Sequence, residues 1–142
     1  MRHPLLSLGA PLLACLAACE PSATAVEYPP AIVFLALNAS QDAYMEALFQ
    51  GRVTLDAQGC LRLDAGDRDT VIWPHGYTLD TRGGALVVKD AQGRDVGTVG
   101  GSFRLGGGEV SSLDQVSRLS AETRAQAEES CPGRYWFASP EM

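Results

Sequence analysis

The sequence predicts a mainly β fold, a small antiparallel barrel or sandwich with one or two short helices. Two observations carry this prediction. Beyond Gly51 the chain consists of short runs in which apolar and polar residues alternate, which is the period of a half-buried strand. Turn sequences rich in Gly and Asp separate these runs at intervals of about 8 to 12 residues, as in small all-β domains. An OB-like barrel is one form of this class, and closure would remove the exposed strand edges.

The first residues have the layout of a signal peptide. Arg2 precedes an apolar run, and small residues end it. The run is shorter than the roughly 20 apolar residues that a membrane-spanning helix needs. We therefore expect residues 1–18 to be removed, residues 19–30 to form a flexible tether rich in Pro, Ser, Thr and Ala, and residues 31–142 to form one β-rich domain.

The stretch Leu16-Ala17-Ala18-Cys19 resembles the lipobox of bacterial lipoproteins. The resemblance implies that a diacylglycerol is attached to Cys19, that the chain is cleaved before it, and that the new amino group is acylated, for example with palmitate. We therefore expect a cell-envelope protein that contacts the membrane through its lipid anchor. It would lie on the periplasmic or extracellular face, at the outer membrane if the cell has one. Ordinary secretion is the alternative.

Cys60 and Cys131 are the cysteines that remain if Cys15 leaves with the signal peptide and Cys19 carries the lipid. An even pair in an oxidising compartment predicts a disulfide. Closing a loop of about 70 residues would stabilise the fold by roughly 4 kcal/mol in the chain-entropy model. Two free, buried thiols are the alternative.

The charge balance limits the classes of partner. The chain has 11 Lys and Arg against 17 Asp and Glu, for a formal net charge of −6. Nucleic acid is not an expected partner, because affinity for it depends on a cationic surface. An unidentified envelope protein or a glycan remains as a partner.

The region before the alternating strands is predicted in two parts. AIVFLAL at 31–37 is apolar throughout and rich in β-branched and aromatic residues, which favours a buried strand. Ser40 is then predicted to cap a short helix that runs to Phe49, where apolar residues recur at helical spacing, and Gly51 ends it.

The later elements follow from alternation and turn chemistry. DAQG, at 56–59 and again at 90–93, predicts two tight turns. The glycines at 106–108 are expected to supply a positive φ or a close backbone crossing. LSAETRAQAEES predicts a short exposed helix. The predicted strands are RVTLD, CLRLD, TVIW, ALVVKD, RDVGTV, SFRL and a last one within CPGRYWFA.

The stretch VIWPHGYTL holds the most site-like residues. His75 is the one histidine left after signal removal, which excludes a site with several histidines, and we predict no metal and no cofactor. Pro and Gly predict a structural corner here, with Trp73 and Tyr77 as packing residues. The alternative is that Trp73, His75, Tyr77 and Glu109 line the mouth of a barrel that binds a small molecule, a glycan or a peptide. A hydrolase that uses His75 or Glu109 is the least favoured interpretation.

Several motifs together resemble small, uncharacterised domains of bacterial secreted proteins and lipoproteins. In order they are GxVxLDxxGCLRL, WPxGY, DxxGRxVGxVG, LGGGE and CPGxYW, and they span about Gly51 to Phe137. The resemblance implies a β architecture and transfers no active site. The positions that carry it are Cys60, Trp73, Pro74, Gly76, Gly106, Gly107, Gly108, Glu109, Cys131 and Trp136.

The function that follows from these patterns is binding or scaffolding without catalysis. We expect a lipid-anchored β domain at the cell envelope, because catalytic groups are sparse and the anchor and cysteine pair place it outside the cytoplasm.

Overall fold

The structure, a computed structural model, describes residues 31–140. The predicted signal peptide, Cys19 and the tether lie outside the described residues. The described chain forms nine strands, one α-helix and one 3-10 turn. These elements are β1 (Leu35–Ala36), β2 (Ala47–Leu55), β3 (Leu61–Leu63), β4 (Thr70–Trp73), β5 (Thr78–Arg82), β6 (Ala85–Lys89), β7 (Asp95–Thr98), β8 (Ser102–Val110), the 3-10 turn Leu113–Gln115, α1 (Ala121–Ser130) and β9 (Tyr135–Ala138).

Five of the strands close into a barrel. β2, β3 and β4 pair as an antiparallel meander, and β9 pairs with β4 in parallel. β8 lies antiparallel between β9 and β2, which closes the ring in a Greek-key order of the OB-like kind. The predicted fold class is therefore confirmed.

The other strands extend this barrel. β1 adds to β4 in parallel, with Leu35 opposite Ile72, and Val33 forms an isolated bridge to Cys60. Of the strand predicted at 31–37, the structure shows only the two residues of β1, with the isolated bridge at Val33 before it. β5, β6 and β7 form a separate antiparallel sheet in the connection between β4 and β8, and Val88 of this sheet packs into the barrel.

Side chains alternate across the barrel wall and so build two cores. Along β4, Val71 and Trp73 face the interior while Ile72 faces outward; along β9, Trp136 faces inward and Phe137 outward. The inner core comprises Phe49, Val53, Leu61, Leu63, Val71, Trp73, Tyr77, Val88, Phe103, Leu105, Trp136 and Ala138. The outer core comprises Val33, Leu35, Leu37, Cys60, Ile72, Val110, Leu113, Val116, Leu119, Ala127, Cys131, Tyr135 and Phe137.

The predicted disulfide is confirmed. Cys60, directly before β3, is bonded to Cys131, directly after α1, with their Cα atoms 5.8 Å apart. Both cysteines are fully buried in the outer core. The bond therefore joins the barrel to the helix that covers its outer face.

The helix predicted from Ser40 to Phe49 is wrong. The chain from Ser40 to Glu46 is irregular, and β2 begins at Ala47. Leu48, which helical spacing would have buried, is 54% exposed, whereas Phe49 faces the inner core. Pairing of β2 with β8 over six consecutive residues replaces the helical hydrogen bonds, so long-range pairing overrides the local pattern.

Three further elements refine or confirm the prediction. β8 continues through the three glycines to Val110, well beyond the SFRL run, and β5 was not predicted. The late helix is confirmed as α1, capped by Ser120, whose side chain accepts a hydrogen bond from the Thr123 backbone N–H. Both DAQG turns are confirmed.

Candidate functional site

Trp73 and Tyr77, two of the four predicted ligand-binding residues, lie in the inner core. Trp73 is fully buried at the end of β4 and Tyr77 is 7% exposed, with their ring centroids 6.3 Å apart. Phe34 stacks on Trp73 at 5.7 Å and Phe103 packs against it at 6.0 Å. Aromatic side chains therefore fill this part of the barrel interior.

His75 lies at the exposed tip of the corner that follows β4. The Tyr77 backbone N–H donates to the Pro74 carbonyl, which closes the turn. His75 Nδ1 lies 3.2 Å from the carbonyl oxygen of Leu37, which can only accept, so Nδ1 is the protonated nitrogen and donates. His75 thus links the corner to the end of β1.

Glu109 belongs to an ion-pair cluster. Arg134 donates to the Glu109 carboxylate and, through Nη1 at 2.5 Å, to the Asp67 carboxylate. Its Nε lies 3.7 Å from Oδ1 of Asp69, whose side chain is 5% exposed. Burial raises the pKa of Asp69, the charge of Glu109 raises it further, Arg134 offsets part of this, and Asp67 adds a smaller increase.

The four predicted residues do not form one site. Glu109 is joined through Arg134 to Asp69, which precedes β4, while His75 follows the other end of the same strand. Trp73 and Tyr77 come together, but inside the core. Among residues 31–140, no group of His, Cys, Asp and Glu is arranged to hold a metal ion.

An open groove, which the sequence did not predict, lies on the outer face of the barrel. It has a volume of about 950 Å³ and crosses the pairing of β2 with β8, where Leu48 is opposite Gly106. Because glycine carries no side chain, Leu48 has no cross-strand neighbour to pack against and stays exposed. The lining residues are Tyr44, Met45, Glu46, Ala47, Leu48, Arg104, Gly106, Ser139 and Pro140.

The walls of the groove are held in place by contacts with the barrel. The Tyr44 ring stacks on Phe137 with centroids 5.8 Å apart. The Ser139 hydroxyl donates to the Met45 carbonyl at 2.9 Å, and the Ser139 backbone N–H donates to the Gly106 carbonyl at 3.0 Å. The irregular segment before β2 is therefore fixed to the end of β9, and the groove is a built feature of the fold.

Two of the three glycines of β8 are required by the fold itself. Gly107 has φ of 137°, and a Cβ there would lie 2.1 Å from the Phe137 carbonyl oxygen. A Cβ on Gly108 would lie 2.6 Å from the Met45 sulfur, which covers that residue. The expectation of a positive φ or a close backbone crossing at 106–108 is confirmed at Gly107, whereas the close neighbour of Gly108 is a side chain.

The groove was not predicted because the helix predicted from Ser40 to Phe49 was wrong. With Leu48 on the buried face of a helix, no exposed apolar surface was expected there. The signal that could have found it is the alternation of Phe49, Gly51 and Val53 on one face, which places Leu48 and Gln50 outward.

Comparison with known proteins identifies no family for this chain. The chain matches no protein-family model, no curated protein and no solved structure. No helix within residues 31–140 has the length and apolar character needed to cross a bilayer.

Proposed function

We propose that this chain is a lipid-anchored, non-catalytic binding domain of the bacterial cell envelope, and that its binding surface is the outer groove. The observation that carries the proposal is an apolar groove left open on the outside of a barrel whose interior is filled. Leu48 and Met45 are the exposed large apolar side chains there, at 54% and 37%. Exposed apolar surface with a polar rim is typical of interaction sites.

The packing around Trp73 favours the outer groove, and not the mouth of the barrel, as the binding surface. A ligand that stacked on Trp73 would have to displace Phe34 and Phe103, which already cover its ring. Removing such contacts costs several kcal/mol. The alternative of a ligand-binding barrel mouth is therefore the less favoured of the two.

Anchoring at the envelope is supported by the lipobox at Cys19 and by the disulfide. A bond between Cys60 and Cys131 persists in an oxidising compartment, such as the periplasm or the cell surface. A Cys19→Ala variant is expected to leave the membrane fraction, because the lipid would be its attachment to the bilayer.

The test is recovery of a partner by cross-linking and pull-down from intact envelopes with the lipidated protein. Wild type is compared with Leu48→Asp in the groove and with Thr98→Asp, a change at another exposed strand position, on β7. We expect a partner that wild type and Thr98→Asp recover and that Leu48→Asp does not. Equal recovery by all three, or no partner with any, would contradict the proposal.

A further inference from the structure

Gly106 is the one glycine of the β8 triplet that the described fold does not require. Its φ is not in the left-handed region, and a Cβ there would meet only the Ser139 side chain, at 3.4 Å, an ordinary contact. Glycine in a strand costs roughly 0.5–1 kcal/mol relative to alanine. Glycine within a strand is common at bulges, at barrel bends and where a ligand or another backbone approaches closely, and we take the last of these as the basis of the inference.

Arg104 and Glu46 are the charged residues that line the groove, and neither has an ion-pair partner among residues 31–140. Arg104 lies one outward position before Gly106, opposite Gln50. It is exposed and has no ion-pair partner among residues 31–140, whereas Arg52, one outward position further along β2, pairs with Asp64. A carboxylate on the partner would complement the positive charge of Arg104.

The groove favours an occupant that lies across the surface. It is open to solvent, whereas a small ligand site usually encloses most of its ligand. Gly106 has no side chain to block the approach of another chain, Leu48 and Met45 offer apolar contact, and Arg104 lines the same groove.

We propose that the groove binds an extended peptide segment in which an apolar side chain lies beside an Asp or Glu. The apolar side chain packs on Leu48 over Gly106, and the carboxylate pairs with Arg104. This inference rests on the proposed function and names the chemical class of its partner.

The experiment selects peptides from a phage-displayed library of random dodecapeptides on the immobilised mature chain. We expect selected peptides to share an apolar residue next to Asp or Glu. Their affinity, measured by calorimetry, should fall about tenfold or more in Gly106→Ala, because the new methyl group occupies the floor of the groove. Arg104→Gln should weaken the same peptides, and Arg52→Gln, its matched control on the outer face of β2, should not.

Three results would overturn the proposal. The first two are selected peptides without acidic residues and affinities that Gly106→Ala leaves unchanged. The third is a set of peptides that bind a chain starting at Ala31 but not the mature chain, because the tether would then be the occupant of the groove. Leu48→Ser serves as the second variant if Gly106→Ala alters the circular dichroism spectrum. A partner recovered from envelopes through Leu48, together with any of these results, would leave the binding function standing and remove only the peptide assignment.

Discussion

The two cores of the domain differ in which residues and bonds hold them together. The inner core takes most of its side chains from alternate residues of the barrel strands. Five of its twelve residues are aromatic, and Trp73, Trp136 and Phe103 are in contact with other rings. The outer core is covered by α1, which contributes only one buried residue, Ala127. The disulfide lies in this outer core, where the helix adds little apolar area. Packing therefore holds the barrel, and the disulfide adds a covalent link where α1 contributes little packing of its own.

The largest expected effect is in the inner core. Trp73→Ala removes a fully buried ring with three aromatic neighbours, and should lower the free energy of unfolding by about 3–5 kcal/mol. Urea unfolding followed by circular dichroism measures it. Trp73→Phe is the control, because Trp73 Nε1 has no hydrogen-bond partner within residues 31–140 and its loss costs little. A loss below about 1 kcal/mol for the alanine variant would show that the inner core is not the main source of stability.

The next effect is in the outer core. Replacing both Cys60 and Cys131 by Ala should lower the free energy of unfolding by about 2–4 kcal/mol, because the bond closes a loop with a sequence separation of 71. Hydrogen exchange should rise first in α1, while the amides of β2 and β8 remain protected. Uniform loss of protection in both regions would contradict the distinction between the two cores.

Two carboxylates, the half-buried Asp56 and the buried Asp69, should respond to pH in opposite directions. Burial alone would raise the pKa of Asp56, but hydrogen bonds from Arg62, Cys60 N–H and Gln58 N–H, with the Arg62 charge, outweigh it and lower the pKa below 3.8. Stability from Asp56 is thus present above pH 3.8 and is lost as the pH falls through the folded pKa. At pH 7, Asp56→Asn should cost about 1–3 kcal/mol.

Asp69 has the opposite effect on the pH dependence of stability, because its pKa in the folded state is raised above 3.8. The folded state holds this proton more tightly than the unfolded state, so the free energy of unfolding falls as the pH rises from 3.8 through the folded pKa. Asp69→Asn should remove this loss and raise the melting temperature at pH 7. A lower melting temperature at pH 7, with an unchanged slope against pH, would show that the pairing with Arg134 outweighs the burial cost.

The smallest effect belongs to the groove, which lies outside both cores. Gly106→Ala should raise the free energy of unfolding by no more than about 1 kcal/mol, because alanine is favoured over glycine in a strand and the new methyl group meets only Ser139. Leu48→Ser should change it by less than about 0.5 kcal/mol, because Leu48 is exposed. Chemical denaturation measures these changes. A loss of more than about 1 kcal/mol in either variant would mean that the groove is part of the folding core.

The inner core could be predicted from sequence because it depends on local alternation. Val71 and Trp73 are two residues apart, and the same period recurs in most barrel strands. The disulfide was predictable from the cysteine count together with the oxidising compartment that the lipobox-like stretch implies. The groove was not, because it depends on a long-range register that places Leu48 opposite Gly106, and on the barrel pairing that prevents a helix there.

The central claim is that this domain binds on the outer groove and not at the corner of the barrel. The most direct measurement places a photo-cross-linking amino acid at position 48 in one strain and at position 75 in another, and compares adducts formed in intact cells. Both positions are exposed, so the comparison is matched. We predict an adduct with one partner from position 48 and none from position 75. An adduct from position 75 alone would contradict the claim and favour a ligand or partner at the His75 corner.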